Sequence, residues 1–494
     1  MANTHNLSTR KFGMRDKICY AFGDVANDFT FIMISSFMLV FYTDVMKVDG
    51  AIVGGLMAAA RILDAFTDIG MGTIVDATDP DKSKFGKFRI WMLRGCIPVV
   101  FFGFMVFGGG MVASAPLAVR LIWMFVTYLL WGSVFYTCVN IPYGSMASAI
   151  TDNPDQRTQL SSFRSIGATI AGLILGTVGP LVVYVEDEAG NTVLSNGRMM
   201  AFAGICALLA LGCYLICIFG SVDRVYLPPK KKEPKEQRDP NEKGIVMTLL
   251  TDKALIILIV GTIFMLLTQL TMQAMANYIY PKYYGNTTAQ SMAALIGSLA
   301  MIGMAVIAPK LVQIFGKREL GIFSMFGGAA FYLLGFILHP SNVWVFVVVN
   351  VLAYAALGTF SSICFAMIID VIDNAEVKTG KRDDGKYYGV YSFARKLGQA
   401  ASSLVSGAIL SVISYGKLAG YLEQIADTSL SAEEVAAAQS SADSILSGIF
   451  NATTLVPAIG FAIAGVFLII YPMKKKVVDA NAETLRLRRE GKEQ

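Results

Sequence analysis

Charged residues and histidine are scarce in this chain. Asp, Glu, Lys and Arg make up 16% of its 494 residues, whereas 55% are hydrophobic; soluble globular proteins carry roughly 25% charged residues. His5 and His339 are its two histidines, so a histidine-centred metal or catalytic site is not expected. The seven cysteines lie in apolar runs without a CxxC pair, which favours buried, inert thiols. This composition excludes a soluble globular protein, and we expect no enzyme activity, no cofactor and no nucleic-acid partner.

Long apolar runs fill most of the sequence, and many reach the roughly 20 residues that cross a bilayer as a helix. Their length excludes the strands of a membrane barrel. We therefore expect an all-α membrane protein, with twelve transmembrane helices in two six-helix bundles. The predicted spans lie near residues 18–44, 50–77, 90–113, 118–148, 161–185, 199–222, 253–280, 289–309, 319–339, 343–373, 387–415 and 445–472.

A segment rich in Pro and Lys, residues 228–235, separates the two halves and is typical of a flexible linker. We expect an N-terminal bundle over 1–222, a cytoplasmic linker over 223–252, a C-terminal bundle over 253–472 and a cytoplasmic tail over 473–494.

Two short motifs recur between the halves. Phe85-Gly86-Lys87 returns as Phe315-Gly316-Lys317, and Ser162-Phe163 returns as Ser392-Phe393. Both pairs are about 230 residues apart, as a duplication of one six-helix unit would require.

Basic residues concentrate on one side of the predicted spans, including the N-terminal segment, the central linker and Lys474–Lys476. Because basic loops favour the cytoplasm, both termini are predicted to lie inside, with the protein in the inner (cytoplasmic) membrane. The predicted external loop over 416–444 is acidic, and we expect a surface helix or a mobile cover there.

The second predicted span carries Arg61, Asp64, Thr67 and Asp68, and helical spacing puts Arg61 and both aspartates on one face. Two carboxylates one turn apart, with the Thr67 hydroxyl or one from another helix, form an oxygen-rich site for a hard cation such as Na⁺. The same pair can instead hold a proton, since low dielectric and like charge both favour the protonated form. The alternative is a salt bridge from Arg61 that locks helices together, which accounts for one aspartate and leaves the second without a role.

The first predicted span carries Asp24 and Asp28, again one turn apart. Asp24 is nearer the cytoplasmic end, where a carboxylate snorkels or pairs with a basic residue, so we interpret it as structural. Asp28 lies deeper, and a carboxylate in a polar cavity is a natural acceptor for sugar hydroxyls. An interhelical hydrogen bond is the alternative role for Asp28.

Thr137, Asn140 and Gly144 share one face of the fourth predicted span, and Pro142 can kink this helix by freeing the carbonyl of Cys138. Polar side chains beside a kink suit a site at mid-membrane. The small residues nearby argue equally for close helix packing.

Two cations stand at matched starts of the fifth and eleventh predicted spans, Arg164 and Lys396. They either pair with the aspartates or meet an anionic substrate, and the sequence does not distinguish these roles.

Acidic and basic residues also share two loops that are predicted to be cytoplasmic. We interpret them as ion pairs of an inner gate, with a solvated face as the alternative. The candidate gating residues are Arg61, Asp76, Arg89, Asp370, Asp373, Glu376 and Arg382.

At these residues the chain resembles the glycoside–pentoside–hexuronide:cation symporter family of the major facilitator superfamily, of which the melibiose permease is the best-known member. The matching stretches run from the first span to the eleventh. They are Tyr20-Ala-Phe-Gly23, Asn27-Asp28-Phe29, Tyr42-Thr43-Asp44, Ala60-Arg61-Ile-Leu-Asp64-Ala-Phe-Thr67-Asp68, Phe85-Gly86-Lys87, Asn140-Ile-Pro142-Tyr143-Gly144-Ser145, Asp370-Val-Ile-Asp373-Asn-Ala-Glu376 and Thr379-Gly380.

The resemblance implies two bundles that expose a central site alternately to each side of the membrane. It implies that Asp64 and Asp68 bind the cation, with Thr137 as a hydroxyl ligand. The solute residues that it implies are Asp28 and Arg164, with Lys396 near both sites.

The chain departs from the melibiose permease at three positions. Asn140 replaces an aspartate, Gly144 a tryptophan and Ser35 a tyrosine. A less negative, roomier cavity better tolerates a hexuronide or another acidic glycoside, while pentosides and neutral oligosaccharides stay open. The loss of one carboxylate also leaves coupling to H⁺ open.

The sequence therefore predicts a secondary active transporter that couples Na⁺ or H⁺ to symport of a sugar, glycoside, pentoside or hexuronide. We expect it to work as a monomer in the lipid bilayer, with no bound cofactor. The alternatives are an uncoupled facilitator or exporter, a membrane receptor that does not transport, and a lysolipid carrier.

Overall fold

The computed structural model of the chain describes residues 7–188, 190–229, 252–380, 382, 384–427 and 429–489. The helices are α1 Met14–Asp44, α2 Gly50–Ala77, α3 Gly86–Val112, α4 Leu117–Ile150, α5 Pro154–Val183, α6 Asn196–Gly220, α7 Lys253–Tyr283, α8 Thr287–Phe315, α9 Lys317–Leu338, α10 Val343–Thr379, α11 Asp384–Val412, α12 Leu418–Ala426, α13 Ala432–Ile470 and α14 Lys475–Arg489. Single 3₁₀ turns lie at Pro80–Lys82 and Tyr415–Lys417. A short antiparallel hairpin, β1 Tyr184–Glu186 and β2 Thr192–Leu194, joins α5 to α6.

The all-helical membrane fold predicted from the sequence is confirmed. Among the described residues, eleven helices are long and apolar enough to cross a membrane. A twelfth span arises when α11 and the helical segment after it, which meet at a bend of 50°, are taken together.

Polar side chains fix the starts of seven helices. Each accepts a hydrogen bond from a backbone N–H of the first turn, which the helix itself leaves unpaired. These capping residues are Asp49 for α2, Asn153 for α5, Ser195 for α6, Asp252 for α7, Asn286 for α8, Asn342 for α10 and Ser431 for α13.

The last long helix begins thirteen residues earlier than the sequence predicted, at Ala432 instead of about 445. Ser431 and Glu434 form a reciprocal capping box there, and acidic side chains in a first turn favour helix. The predicted external loop over 416–444 is therefore largely helical, since α12 also lies within it.

The repeated Phe-Gly-Lys motif has one backbone role in both halves. Gly86 is the first residue of α3 and has a φ of 66°, and Gly316 separates α8 from α9 with a φ of 88°. L-residues with side chains rarely adopt this left-handed region, so glycine is required for so tight a connection. The shared conformation supports the duplication that the sequence indicates.

Contacts between α-carbons divide the chain into two units, Met1–Arg238 with Leu410–Ala419, and Asp239–Ile409 with Gly420–Gln494. In the first unit α1 packs against α5 and α6, and α3 packs against α4 and α6. In the second unit α8 packs against α10, α9 against α10 and α13, and α7 against α13.

The predicted domain boundaries stay predictions. Residues 410–419 group with the first unit, in which Tyr415 Oη donates a hydrogen bond to Asp44 Oδ1 at 2.8 Å. The predicted linker lies outside the described residues over 230–251. At the start of the predicted linker, Arg224 Nη2 donates to the buried Asp16 at 2.9 Å and Arg224 Nη1 donates to the carbonyl of Ile150 at 3.1 Å.

Candidate cation and solute sites

Two matched hydrogen bonds join α2 to α4. Thr137 Oγ1 donates to Asp68 Oδ1 at 2.9 Å, and Ser133 Oγ donates to Asp64 Oδ1. Each bond joins residues that are 69 positions apart in the chain, so one turn of α2 faces one turn of α4 in register. Four side-chain oxygens, two from carboxylates and two from hydroxyls, thus line the contact between these helices.

The backbone of α4 is π-helical over Leu130–Tyr136 and α-helical from Thr137 to Ile150. The irregularity therefore lies before Pro142, and the helix continues through that proline. Wide π turns inside α-helices occur often at functional sites, because they change which side chains face a neighbour. Here the π-helical segment carries Ser133, which the sequence reasoning missed.

Arg61 lies buried beside Asp64, with 7% of its surface exposed. Its Nη1 lies 3.6 Å from Asp64 Oδ2, its Nη2 donates to Ser35 Oγ at 3.4 Å, and its guanidinium lies 4.7 Å from the ring centroid of Phe31. The salt bridge that the sequence offered as an alternative is thus present at Asp64. The structure places Arg61 at the candidate cation site, and its predicted gating role stays a prediction.

Thr67 was also predicted as a cation ligand. Its Oγ1 donates to the carbonyl of Asp64 in its own helix, at 3.3 Å. Such a bond leaves the hydroxyl oxygen with lone pairs to offer.

The predicted solute cation Arg164 pairs with Asp24. Arg164 Nε lies 3.1 Å from Asp24 Oδ1, and the guanidinium stands 5.2 Å from the ring centroid of Tyr143. Asp24 thus pairs with a basic residue, the alternative that the sequence offered for it, and its structural interpretation stays a prediction. Asp28 is half-buried, one turn further along α1.

Tyr143 is fixed in place by α1. Its hydroxyl donates to the carbonyl of Tyr20 at 2.8 Å, the hydroxyl of Tyr20 donates back to the carbonyl of Tyr143 at 3.3 Å, and the two rings stack at 4.8 Å. This reciprocal pair forms a rigid aromatic platform under Arg164.

A chain of hydrogen bonds orients Asn140. Tyr214 Oη donates to Asn27 Oδ1 at 2.8 Å, and Asn27 Nδ2 donates to Asn140 Oδ1 at 3.3 Å. Because the carbonyl oxygen of Asn140 accepts from Asn27, its amide NH₂ is the group turned to other partners. Asn140 therefore presents donors, where a carboxylate would present acceptors.

Gly144 is exposed and lies beside Arg164. A Cβ added there would meet one group within 4 Å, Arg164 Nη1 at 3.9 Å. The roomier cavity that the sequence predicted stays a prediction.

The other predicted solute residue, Lys396, lies half-buried on α11 in the second unit, whereas Asp28, Asn140, Gly144 and Arg164 lie in the first.

Two predicted gating residues of the first unit, Arg89 and Asp76, bond neighbouring segments of the same unit. Arg89 Nη2 lies 3.3 Å from Asp223 Oδ2, and Arg89 Nη1 donates to the carbonyl of Ser221 at 3.0 Å. Asp76 accepts from Lys87 Nζ through its backbone carbonyl at 2.9 Å.

In the second unit the predicted gate residues do meet. Arg382 Nη1 lies 2.7 Å from both Asp373 Oδ1 and Glu376 Oε2, and these hydrogen bonds raise the pKa of the Arg382 guanidinium above its ordinary value. Asp370 instead pairs with Lys317 Nζ at 2.6 Å.

Comparison with known proteins identifies the chain. Residues 19–475 match the family described as MFS/sugar transport protein. The chain belongs to this family of major facilitator sugar transporters. It is a membrane transporter and not an enzyme, and the resemblance to the glycoside–pentoside–hexuronide symporters is confirmed.

Individual relatives agree with this assignment. The transporter is 31% identical over 409 residues to the uncharacterized symporter YjmB of Bacillus subtilis (strain 168), covering 82% of this chain and 85% of that one. It is 27% identical over 470 residues to the glucuronide carrier protein homolog of Escherichia coli (strain K12), covering 94% of each. The fold is similar to the crystal structure of a D-xylose–proton symporter, with a TM-score of 0.61, 14% identity, and coverage of 94% of this chain and 98% of the other.

Proposed function

We propose that this transporter couples Na⁺ or H⁺ to the symport of a sugar or glycoside by alternating access. The observation that carries the proposal is the pair of carboxylates on α2, each hydrogen-bonded to a hydroxyl of α4 inside a membrane-spanning unit. Ionisable groups within a span cost at least ~2.5 kcal/mol each to insert, so a functional role is the default for such residues. Two such carboxylates, Asp64 and Asp68, lie on one turn of α2. A bound cation that neutralises them best explains this arrangement.

The proposed cation residues are Asp64, Asp68, Thr67 and Thr137. Binding of a cation reduces the negative charge between α2 and α4, and the occupied carrier then reorients more readily than the empty one. The coupling free energy is the difference between the free energy of reorientation of the occupied carrier and that of the empty carrier.

The proposed solute residues are Asp28, Asn140, Gly144, Arg164 and Lys396. The first four lie in the first unit, where Arg164 and the amide of Asn140 supply hydrogen-bond donors. A donor-rich group favours a solute that carries a carboxylate or another anionic oxygen acid, since charge-assisted bonds to guanidinium are strong. The relative in Escherichia coli named as a glucuronide carrier supports this choice. An acidic sugar such as a hexuronide is the substrate class that we propose.

The proposed gating residues are Arg61, Asp76, Arg89, Asp370, Asp373, Glu376 and Arg382. The cluster of Arg382 with Asp373 and Glu376 supports the assignment, because ion pairs at the end of a helix stabilise one arrangement and must break in another. By the charge of the loops, both termini lie in the cytoplasm, in the inner membrane of a cell.

An uncoupled facilitator is the second candidate, and the ion pair between Arg61 and Asp64 favours it. In a facilitator this pair only braces α2, and cations leave transport unchanged.

Purified transporter in proteoliposomes separates the two candidates. Labelled glucuronide and a neutral pentoside are offered with an inward Na⁺ gradient, an inward H⁺ gradient or neither. Symport predicts accumulation above the external concentration with one gradient. In Asp68→Asn this accumulation should be lost, and any counterflow that remains should no longer be activated by the cation. Equal uptake under all three conditions would refute coupling.

A further inference from the structure

Ser133 is a buried hydroxyl to which the proposed function assigns no role. It lies on the π-helical segment of α4, with 5% of its surface exposed, and donates to Asp64 Oδ1. Its position relative to Asp64 repeats that of Thr137 relative to Asp68. A serine inside a membrane span usually satisfies its hydroxyl on its own helix, as Ser148 does by donating to the carbonyl of Ser145 at 2.7 Å. Ser133 instead crosses to a carboxylate of another helix.

The backbone around Ser133 adds to the oxygen-rich site. The carbonyl of Gly132 lies 3.3 Å from Thr137 Oγ1, which places it on the same side of the π-helical segment. A Cβ added at Gly132 would lie 3.5 Å from Asp64 Oδ1, in ordinary van der Waals contact with that carboxylate. The hydroxyls of Ser133 and Thr137 thus both face carboxylates of α2.

We propose that Ser133 is a further cation ligand, and that its hydroxyl makes this a site for Na⁺ in preference to H⁺. This inference rests on the proposed function and names its coupling ion. A proton needs one carboxylate oxygen, whereas a hard metal cation needs several oxygens at once. Asp64, Asp68, Ser133 and Thr137 supply four side-chain oxygens of this type from two adjacent helices.

Both hydroxyls are aimed at the carboxylates of α2, to which they donate. Arg61 Nη1 also lies at this site, 3.6 Å from Asp64 Oδ2. When Na⁺ enters, each hydroxyl rotates its hydrogen away and offers a lone pair, since a hydroxyl can both donate and accept.

The test compares Ser133→Ala and Ser133→Cys with the wild type. Alanine removes the oxygen, and cysteine keeps a similar volume while replacing the oxygen by a soft sulfur. Ser148→Ala is the matched control on the same helix, because its hydroxyl bonds its own backbone. Solute counterflow is measured in proteoliposomes against Na⁺ and against Li⁺ at pH 7.5, and against H⁺ without either metal. Thermal unfolding in detergent reports whether each variant folds.

We expect the Na⁺ concentration that gives half-maximal counterflow to rise about tenfold or more in Ser133→Ala and in Ser133→Cys. The ratio of Na⁺ affinity to Li⁺ affinity should also change. Ser133→Thr, which restores a hydroxyl, should recover Na⁺ activation, and Ser148→Ala should match the wild type. If Ser133→Ala folds and keeps the wild-type Na⁺ dependence, Ser133 is not a ligand. Equal losses for Na⁺ and Li⁺ would mean that Ser133 only positions Asp64, and would overturn the ligand assignment.

The wild type by itself separates this inference from the proposed function. Accumulation that follows a pH gradient but not Na⁺ overturns the assignment of Na⁺ and leaves symport standing. Accumulation that follows neither gradient overturns both.

Discussion

Thr137 Oγ1 donates to Asp68 Oδ1 at 2.9 Å, and this bond ties the α-helical part of α4 to α2 immediately after the π-helical segment ends. One turn earlier on both helices, Ser133 meets Asp64 in the same way. The match arises because α2 and α4 run in register, so an acidic pair spaced by four faces a hydroxyl pair spaced by four. The two aspartates are therefore parts of one arrangement and not independent buried charges.

Removing the Thr137 hydroxyl should weaken cation activation. Thr137→Val leaves Asp68 without this donor, and bonds to charged groups contribute ~1.5–3 kcal/mol, so apparent cation affinity should fall about tenfold or more. The measurement is solute counterflow as a function of cation concentration. Thr73→Val on α2, whose hydroxyl bonds the carbonyl of Ile69, should leave the curve unchanged. Equal curves for the two variants would contradict a role for Thr137 at the cation.

Arg164 should distinguish acidic from neutral solutes. Arg164→Gln removes the guanidinium, so KM for a glucuronide should rise about tenfold or more, while KM for a neutral pentoside changes less. Uptake of both solutes by the same proteoliposomes gives the ratio.

The same variant leaves Asp24 without its ion pair. Because more than a third of the Arg164 side chain is exposed, we expect a loss of only ~1–2 kcal/mol in unfolding free energy. Arg198→Gln, an exposed position on α6, is the control for stability.

In the uptake experiment with Arg164→Gln, a parallel rise in KM for the glucuronide and the pentoside would argue that Arg164 recognises sugar hydroxyls in general.

Substitution by alanine should change the stability of the protein at one glycine of the first unit and not at another. A Cβ at Gly144 meets only Arg164 Nη1 at 3.9 Å, whereas a Cβ at Gly23 would lie 2.2 Å from a ring carbon of Tyr143. Gly144→Ala should leave the melting temperature unchanged, and Gly23→Ala should cost ~1–3 kcal/mol through overpacking. Thermal unfolding in detergent measures both.

Filling the space at Gly144 should then restrict the solute. Gly144→Trp is expected to reduce transport of disaccharide-sized glycosides more than that of monosaccharides. Uptake of a glycoside and of its free sugar, compared in one preparation, provides the ratio. An equal effect on solutes of both sizes would show that Gly144 does not border the solute.

The buried Asp16 should matter for stability. Its carboxylate is 1% exposed and bonds Arg10 and Arg224, so Asp16→Asn leaves two guanidinium groups with a neutral partner. Breaking a buried ion pair costs ~3–5 kcal/mol, and partial exposure of Arg10 reduces this to about 3 kcal/mol here. Asp155→Asn, an exposed position in the first turn of α5, should leave the melting temperature unchanged. Identical melting temperatures for the two variants would contradict this role.

Arg382 should affect the rate of reorientation and not the affinity for solute. Arg382→Gln breaks the bonds to Asp373 and Glu376, so maximal uptake should change several-fold while KM stays close to that of the wild type. Arg486→Gln, whose pair with Glu483 is exposed, is the matched control. A change in KM without a change in maximal uptake would contradict the gating role of Arg382.

The sequence was most informative where the physical signal is local. Among the described residues, apolar runs located eleven helices that span a bilayer by themselves and a twelfth that does so only together with the segment after its bend. Each run must satisfy its own backbone within the membrane. The boundaries were less accurate where polar residues extend a helix beyond the membrane core, as at Ala432 and Thr379.

The candidate site was only half visible from the sequence. Asp64, Asp68 and Thr137 stand out as polar groups in apolar runs, whereas Ser133 resembles many serines in transmembrane helices. The spacing of four between Ser133 and Thr137, equal to that between Asp64 and Asp68, was the signal that could have found it.

By itself, the sequence determined that this chain crosses a membrane many times and which spans carry carboxylates, since hydropathy and helical spacing depend on neighbouring residues alone. Only the tertiary structure decided how these groups pair. Asp24 with Arg164, Asp64 with Ser133, and Asn27 with Tyr214 are separated by 140, 69 and 187 residues. Such partners are chosen by the packing of helices against one another, in which the π-helical segment of α4 sets which hydroxyls face α2.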